Sequence, residues 1–171
     1  VTMRASNNSV NQSVGAFYRV STNLYPALQA YDSAGANFSA YTARGLGDFG
    51  ALGWKHIAYT YDNTTKHVYL YVDGVQQSWT IWGGTSASTD FLTLDSAITL
   101  SELWIGAFYS GNYFGGKIDE VAVWNTKLSS GAITEIYNAT NNNSGKVLDL
   151  STNTGNYTNS SSLQYWNRLG D

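Results

Sequence analysis

Two turn signals bracket one short strand and fix how the middle of this chain can pair. Trp54-Lys55-His56-Ile57-Ala58-Tyr59-Thr60-Tyr61 runs into the polar stretch Asp62-Asn63-Thr64-Thr65, and Lys66-His67-Val68-Tyr69-Leu70-Tyr71-Val72 runs into Asp73-Gly74. Asp-Gly between alternating residues is a strong hairpin signal, because a tight primed turn needs positive φ and Gly adopts it without steric cost. A turn over 62–65 sets Tyr61 opposite Lys66, Tyr59 opposite Val68 and Ile57 opposite Leu70. The Asp73-Gly74 turn sets Val72 opposite Val75 and Val68 opposite Trp79. Together the turns place Ile57, Tyr59, Val68, Leu70, Val72, Val75, Trp79 and Ile81 on one face, a core face. His56, Ala58, Thr60, His67, Tyr69, Tyr71, Gln76 and Ser78 fall on the other, a polar-aromatic face. Gln77 breaks the pattern and is read as a bulge. The expectation is a three-stranded meander whose last strand runs from Val75 to Trp82.

The same alternation recurs upstream in 14–20, 25–31 and 37–44, and downstream in 97–107, 117–124 and 163–168. Turn signals separate these runs every 8–12 residues, the cadence of a β-sandwich. Composition agrees: 15 % of residues are aromatic and only 12 % charged, a balance poor in helix formers and rich in residues that suit a pleated surface. One helix is expected over 130–138, capped by Ser129 or Ser130, with Ile133, Ile136 and Tyr137 on one face. Residues 139–162 are dominated by Asn, Ser, Thr and Gly and read as a linker or an extended polar arm. Residues 163–171 read as a final strand or the start of a next module.

Several function classes drop out. The chain has no cysteine, which removes disulfides, zinc-thiolate sites and a cysteine nucleophile. A net charge of −3 with nine Lys plus Arg argues against nucleic acid as a partner. The apolar stretches are too short for a membrane helix. His56 and His67 share a face roughly 13 Å apart at strand spacing, too far for one metal ion.

Gly53-Trp54-Lys55-His56-Ile57-Ala58-Tyr59-Thr60-Tyr61-Asp62 with Val68-Tyr69-Leu70-Tyr71-Val72-Asp73-Gly74 resembles the central signature of laminin G-like, concanavalin A-like jelly-roll domains. Leu103-Trp104-Ile105-Gly106 resembles the strand before their final motif. Residues 114–125, with Leu128-Ser129 and Glu135-Ile136-Tyr137, resemble the closing strand and short helix. The resemblance covers about 14–138 and implies an all-β, two-sheet antiparallel jelly-roll sandwich with one short C-terminal helix. It makes 1–138 the jelly-roll domain. The Phe-Asp-Gly-type opening strand of the family has no counterpart here, so the expectation is that the chain starts inside the domain, and either the opening strands lie outside this sequence or another segment completes the sheet. The tail beyond the helix is similar to continuations in large modular proteins, notably structural proteins of marine bacterial viruses. It is expected to be ordered along a sheet edge, of this subunit or, in an assembly, of a neighbour.

The resemblance points to a non-catalytic module of an extracellular or virion-surface assembly, with structural and adhesion roles and host-surface glycans or receptors as partners. Other structural subunits, including copies of this chain, are further partners. A dedicated lectin is the alternative. The jelly-roll glycoside hydrolases carry Glu-x-Asp-x-x-Glu on one strand, but two residues after Glu102, Glu120 and Glu135 stand Trp104, Ala122 and Tyr137. The binding candidate is the aromatic loop Phe108, Tyr109, Asn112, Tyr113 and Phe114, whose rings suit the C–H faces of sugars; Trp82 in a second loop is weaker. The competing reading tucks two or more of these rings into the core. The one cofactor that the resemblance raises is a structural Ca²⁺ at Asp119, against a plain strand-end role for that residue.

Overall fold

The computed structural model describes residues 2–4, 13–20, 24–31, 37–42, 53–84, 102–108, 112–141 and 148–169. They form thirteen strands, one α-helix and a single 3₁₀ turn. Every strand pairing is antiparallel. The first sheet is built from β1 (Thr2–Arg4), β2 (Ser13–Val20), β3 (Leu24–Tyr31), β4 (Asn37–Thr42), β8 (Trp79–Gly84) and β9 (Glu102–Trp104). Its order is β8-β4-β3-β2-β1-β9. The central meander forms a separate sheet of β5 (Ile57–Asp62), β6 (His67–Val72) and β7 (Val75–Gln77). Two pairs complete the set. One is β10 (Ala107–Phe108) with β11 (Asn112–Tyr113), the other β12 (Val121–Trp124) with β13 (Leu163–Asn167).

The meander keeps its expected faces but not its expected register at the first turn. Ile57 pairs with Val72, Tyr59 with Leu70 and Asp62 with His67, two residues away from the sequence reading. The cause is local. Asp62 Oδ1 accepts the amides of Thr64 and Thr65 at 2.9 and 3.1 Å, and Asp62 O accepts that of Lys66 at 2.7 Å. Lys66 closes the loop at φ +61, a conformation that no sequence rule assigns to Lys. The turn is therefore 63–66. A shift of two leaves parity intact, so no side chain changes face. Lys127 Nζ pairs with the other Asp62 oxygen at 2.9 Å, and its hydrogen bond, with those of the Thr65 and Thr64 amides, holds this carboxyl at about 2.

The second turn is as expected. Val72 pairs with Val75, and Asp73 and Gly74 both have positive φ, +51 and +77, as a type I′ turn requires. The third strand does not continue to Trp82 in one sheet. It breaks at Ser78, just after the irregular Gln77, and resumes as β8 in the six-stranded sheet. Gln77 thus marks a crossing between sheets. Strands that change sheet at a bend are a known way of closing a sandwich corner.

Both faces of the meander are covered. Val68, Leu70 and Val72 are buried on the expected core face. The other face, read from sequence as polar-aromatic, holds a second core. Tyr71 and, more peripherally, Ala58 and Tyr69 pack with Leu128, Ala132, Ile133, Ile136, Leu150 and Tyr157. Tyrosine rings supply the apolar area that the alternation pattern had counted as polar. Elsewhere, Val121 is buried, Ile57, Ile105 and Ile118 are half-buried, and Trp54 is exposed.

The helix α1 spans Ser130–Asn141, three residues beyond the expected end. Ser129 caps it: its Oγ accepts the Ala132 amide at 3.1 Å and its carbonyl accepts the Ile133 amide at 3.1 Å. Beyond it, residues 148–162 fold onto the domain. Leu150 and Tyr157 are buried, and Thr154 and Tyr157 bridge back on each other. Then β13 pairs with β12 of the same chain, with Ala122 opposite Trp166. The tail strand thus makes a two-stranded sheet with a strand of its own chain, whereas the sequence reading favoured a neighbour's sheet edge in an assembly.

Helix and meander meet at the second turn. Thr134 Oγ1 donates to Gly74 O at 3.2 Å, and a Cβ added at Gly74 would lie 2.9 Å from Tyr137 Cδ1. Gly74→Ala therefore adds both a clash and a left-handed alanine. It is expected to cost about 1–3 kcal/mol, read as a lower urea midpoint at unchanged slope.

Candidate functional site

The aromatic loop is a hairpin. Ala107 pairs with Tyr113 and Phe108 with Asn112, and the Phe114 amide extends the ladder by donating to Gly106 O at 2.9 Å. Pleating then divides the residues that the sequence grouped together. Tyr113 and Phe114, adjacent on one strand, point to opposite sides of the hairpin. Tyr109 lies outside the described residues. Phe114 is 38 % exposed, and its ring lies over Gly116, where a Cβ would approach Phe114 Cε1 to 2.7 Å. Tyr113 is 78 % exposed. One ring is thus laid against the protein's own backbone and the other stands free in solvent, so no single flat platform spans both.

Trp82 is a strand residue. In the β4–β8 ladder Ser39 pairs with Gly83 and Ala40 with Ile81, which leaves Trp82 as the extra residue of a bulge. The sequence had placed it in a loop because Gly83-Gly84 follows, but those glycines are themselves paired to β4.

Asp119 is exposed, and its Oδ1 accepts the Glu120 amide at 2.9 Å. Among the described residues no three His, Asp or Glu side chains gather as metal ligands. Glu120 does not belong to the strand that the sequence started at Lys117. It sits at φ +51, so β12 starts only at Val121. Its carboxylate turns to the tail strand instead, accepting Trp166 Nε1 at 2.7 Å and Arg168 Nε at 3.1 Å. The alternation of Leu163–Arg168 carried no hint of this clasp.

The histidines sit at opposite ends of the β5–β6 ladder, further apart than the sequence register had them. His67 pairs with Asp62, and His56 O accepts the Asp73 amide at 2.9 Å. Around His56, Asp73 Oδ1 accepts the His56 amide at 3.1 Å and Asp73 Oδ2 meets Lys55 Nζ at 2.5 Å. The His56 ring lies 5.9 Å from that of Tyr137. Burial pushes the imidazole below its ordinary range, with the Asp73 charge opposing.

Sequence reasoning missed one exposed ring. Trp54, which the sequence did not offer as a binding residue, is 65 % exposed. It precedes β5 and falls beyond the β5–β6 ladder, a placement that depends on where pairing stops.

Residues 4–134 match the family model described as the concanavalin A-like lectin/glucanases superfamily, a laminin G type. The chain belongs to this superfamily, and its antiparallel sheets and single helix are those of a jelly-roll sandwich. Searches of curated proteins and of solved structures returned no match. Membership supports a carbohydrate-binding or structural module, in a class of domains that are generally non-catalytic. Among the described residues no helix is long and apolar enough to cross a membrane.

Proposed function

We propose that this domain is a non-catalytic module of an extracellular or virion-surface assembly, with structural and adhesion roles, and that it contacts surface saccharides through Tyr113. The observation behind the saccharide contact is the solvent-facing Tyr113 ring on a backbone-paired hairpin. An aromatic face stacks on the C–H face of a sugar, and a ring held on paired strands is presented without further ordering. Two of the three glutamates are engaged in contacts within the domain. Glu120 is held by Trp166 and Arg168, and Glu135 lies against the Gly155 backbone and accepts the Asn156 amide at 3.4 Å. Glycan-array screening of the wild type, followed by titration of any hit against Tyr113→Ala, tests the reading. The expected result is binding that falls at least tenfold in the variant with no change in melting temperature, since an exposed side chain contributes little to stability. Equal binding by the variant, or no glycan bound by the wild type, removes the saccharide role. Release of reducing ends from a bound glycan would overturn the non-catalytic assignment.

A further inference from the structure

We propose that His56 is an acid-sensitive latch between the turn end of the meander and helix α1. Three contacts dock the turn on the helix: Thr134 Oγ1 on Gly74 O, the Tyr137 ring against Gly74, and the His56 ring beside Tyr137. Within this joint His56 Nδ1 is buried and has no hydrogen-bond partner. A neutral imidazole tolerates that position at the cost of one unsatisfied acceptor. An imidazolium would place a charged N–H there without an acceptor, which is far more costly.

The ionisable groups described around the ring do not relieve this. On the sheet side stands Asp73, but one of its oxygens already accepts the His56 amide and the other holds Lys55. The Lys55 ammonium offsets much of the Asp73 charge that would otherwise favour protonation. On the helix side stands the Tyr137 ring. Protonation is therefore accommodated by moving the ring out of the joint. Undocking the helix carries the tail with it, because Glu135 of α1 holds the Asn156 amide and Ala132, Ile133 and Ile136 share a core with Leu150 and Tyr157.

The sign follows from linkage. An unfolded histidine takes up its proton near 6.5, while the folded His56 resists it. The stability due to the neutral ring is complete above the unfolded value and is lost as pH falls below it toward the depressed folded value. His67 is the internal comparison.

The experiment is amide hydrogen exchange on the full chain at pH 7 and pH 5, corrected for intrinsic rates. It is combined with an NMR titration of both imidazoles and repeated on His56→Gln and His67→Gln. The wild type is expected to lose protection at Thr134 and Tyr137 between pH 7 and 5. His56→Gln should show the same protection at both values, and His67→Gln should behave as wild type. The His56 imidazole should titrate below the free value. An unchanged wild-type exchange pattern, parallel loss in His56→Gln, or titration of His56 at or above the free value would overturn the latch. The wild-type titration decides the matter even if His56→Gln does not fold.

Discussion

Removing residues 148–171 is expected to unfold the domain rather than trim it. The loss uncovers Tyr71, Leu128, Ile133 and Ile136, which share a core with Leu150 and Tyr157. It also strips β12 of its described strand partner and leaves the Glu120 carboxylate without Trp166 and Arg168. A row of unpaired backbone groups beside an exposed apolar cluster is an aggregation surface. The truncated chain should be recovered as insoluble material, or should melt without a cooperative transition. A truncated protein that melts within a few degrees of the full chain would show that the second core is dispensable.

The largest single-residue effect is expected at Tyr157. Its side chain is completely buried. Its hydroxyl donates to Leu150 O at 2.8 Å and accepts Trp124 Nε1 at 3.0 Å. Tyr157→Ala empties that volume and should cost about 3–5 kcal/mol, the range for large-to-small changes at aromatic core positions. Tyr157→Phe keeps the ring but takes the hydroxyl from a buried carbonyl and a half-buried indole N–H, and should cost about 1–3 kcal/mol. Urea denaturation of the two variants separates packing from hydrogen bonding. A Phe variant as stable as the wild type would show that the hydroxyl contributes nothing net.

These two results bear on what the sequence made legible. Alternation and turn chemistry were sufficient for strands β2 to β6, for the Asp73-Gly74 turn and for the helix cap at Ser129, because each rests on local preferences. The first turn was misplaced because its decisive residue is Lys66 in a left-handed conformation, a choice made by the Asp62 carboxylate and not by Lys itself. The second core was invisible for a related reason. Tyr69, Tyr71 and Tyr157 count as polar or neutral in a pattern, and only the return of a distant tail shows that their rings are covered. For the candidate site, the sequence grouped the rings between Phe108 and Phe114 as one cluster. It could not divide the cluster, because the division follows from the Ala107–Tyr113 register, which is fixed by where the hairpin closes.

The passage from β7 to β8 through Ser78 has a mechanical consequence. The six-stranded sheet and the meander are joined there by one residue, with hydrogen-bonded ladders on either side. A linker that short holds no slack. Tension applied along β8 must pass directly into the β6–β7 ladder, loading its bonds almost at once. The two sheets are therefore expected to yield together under a pulling force, with one rupture peak in place of two.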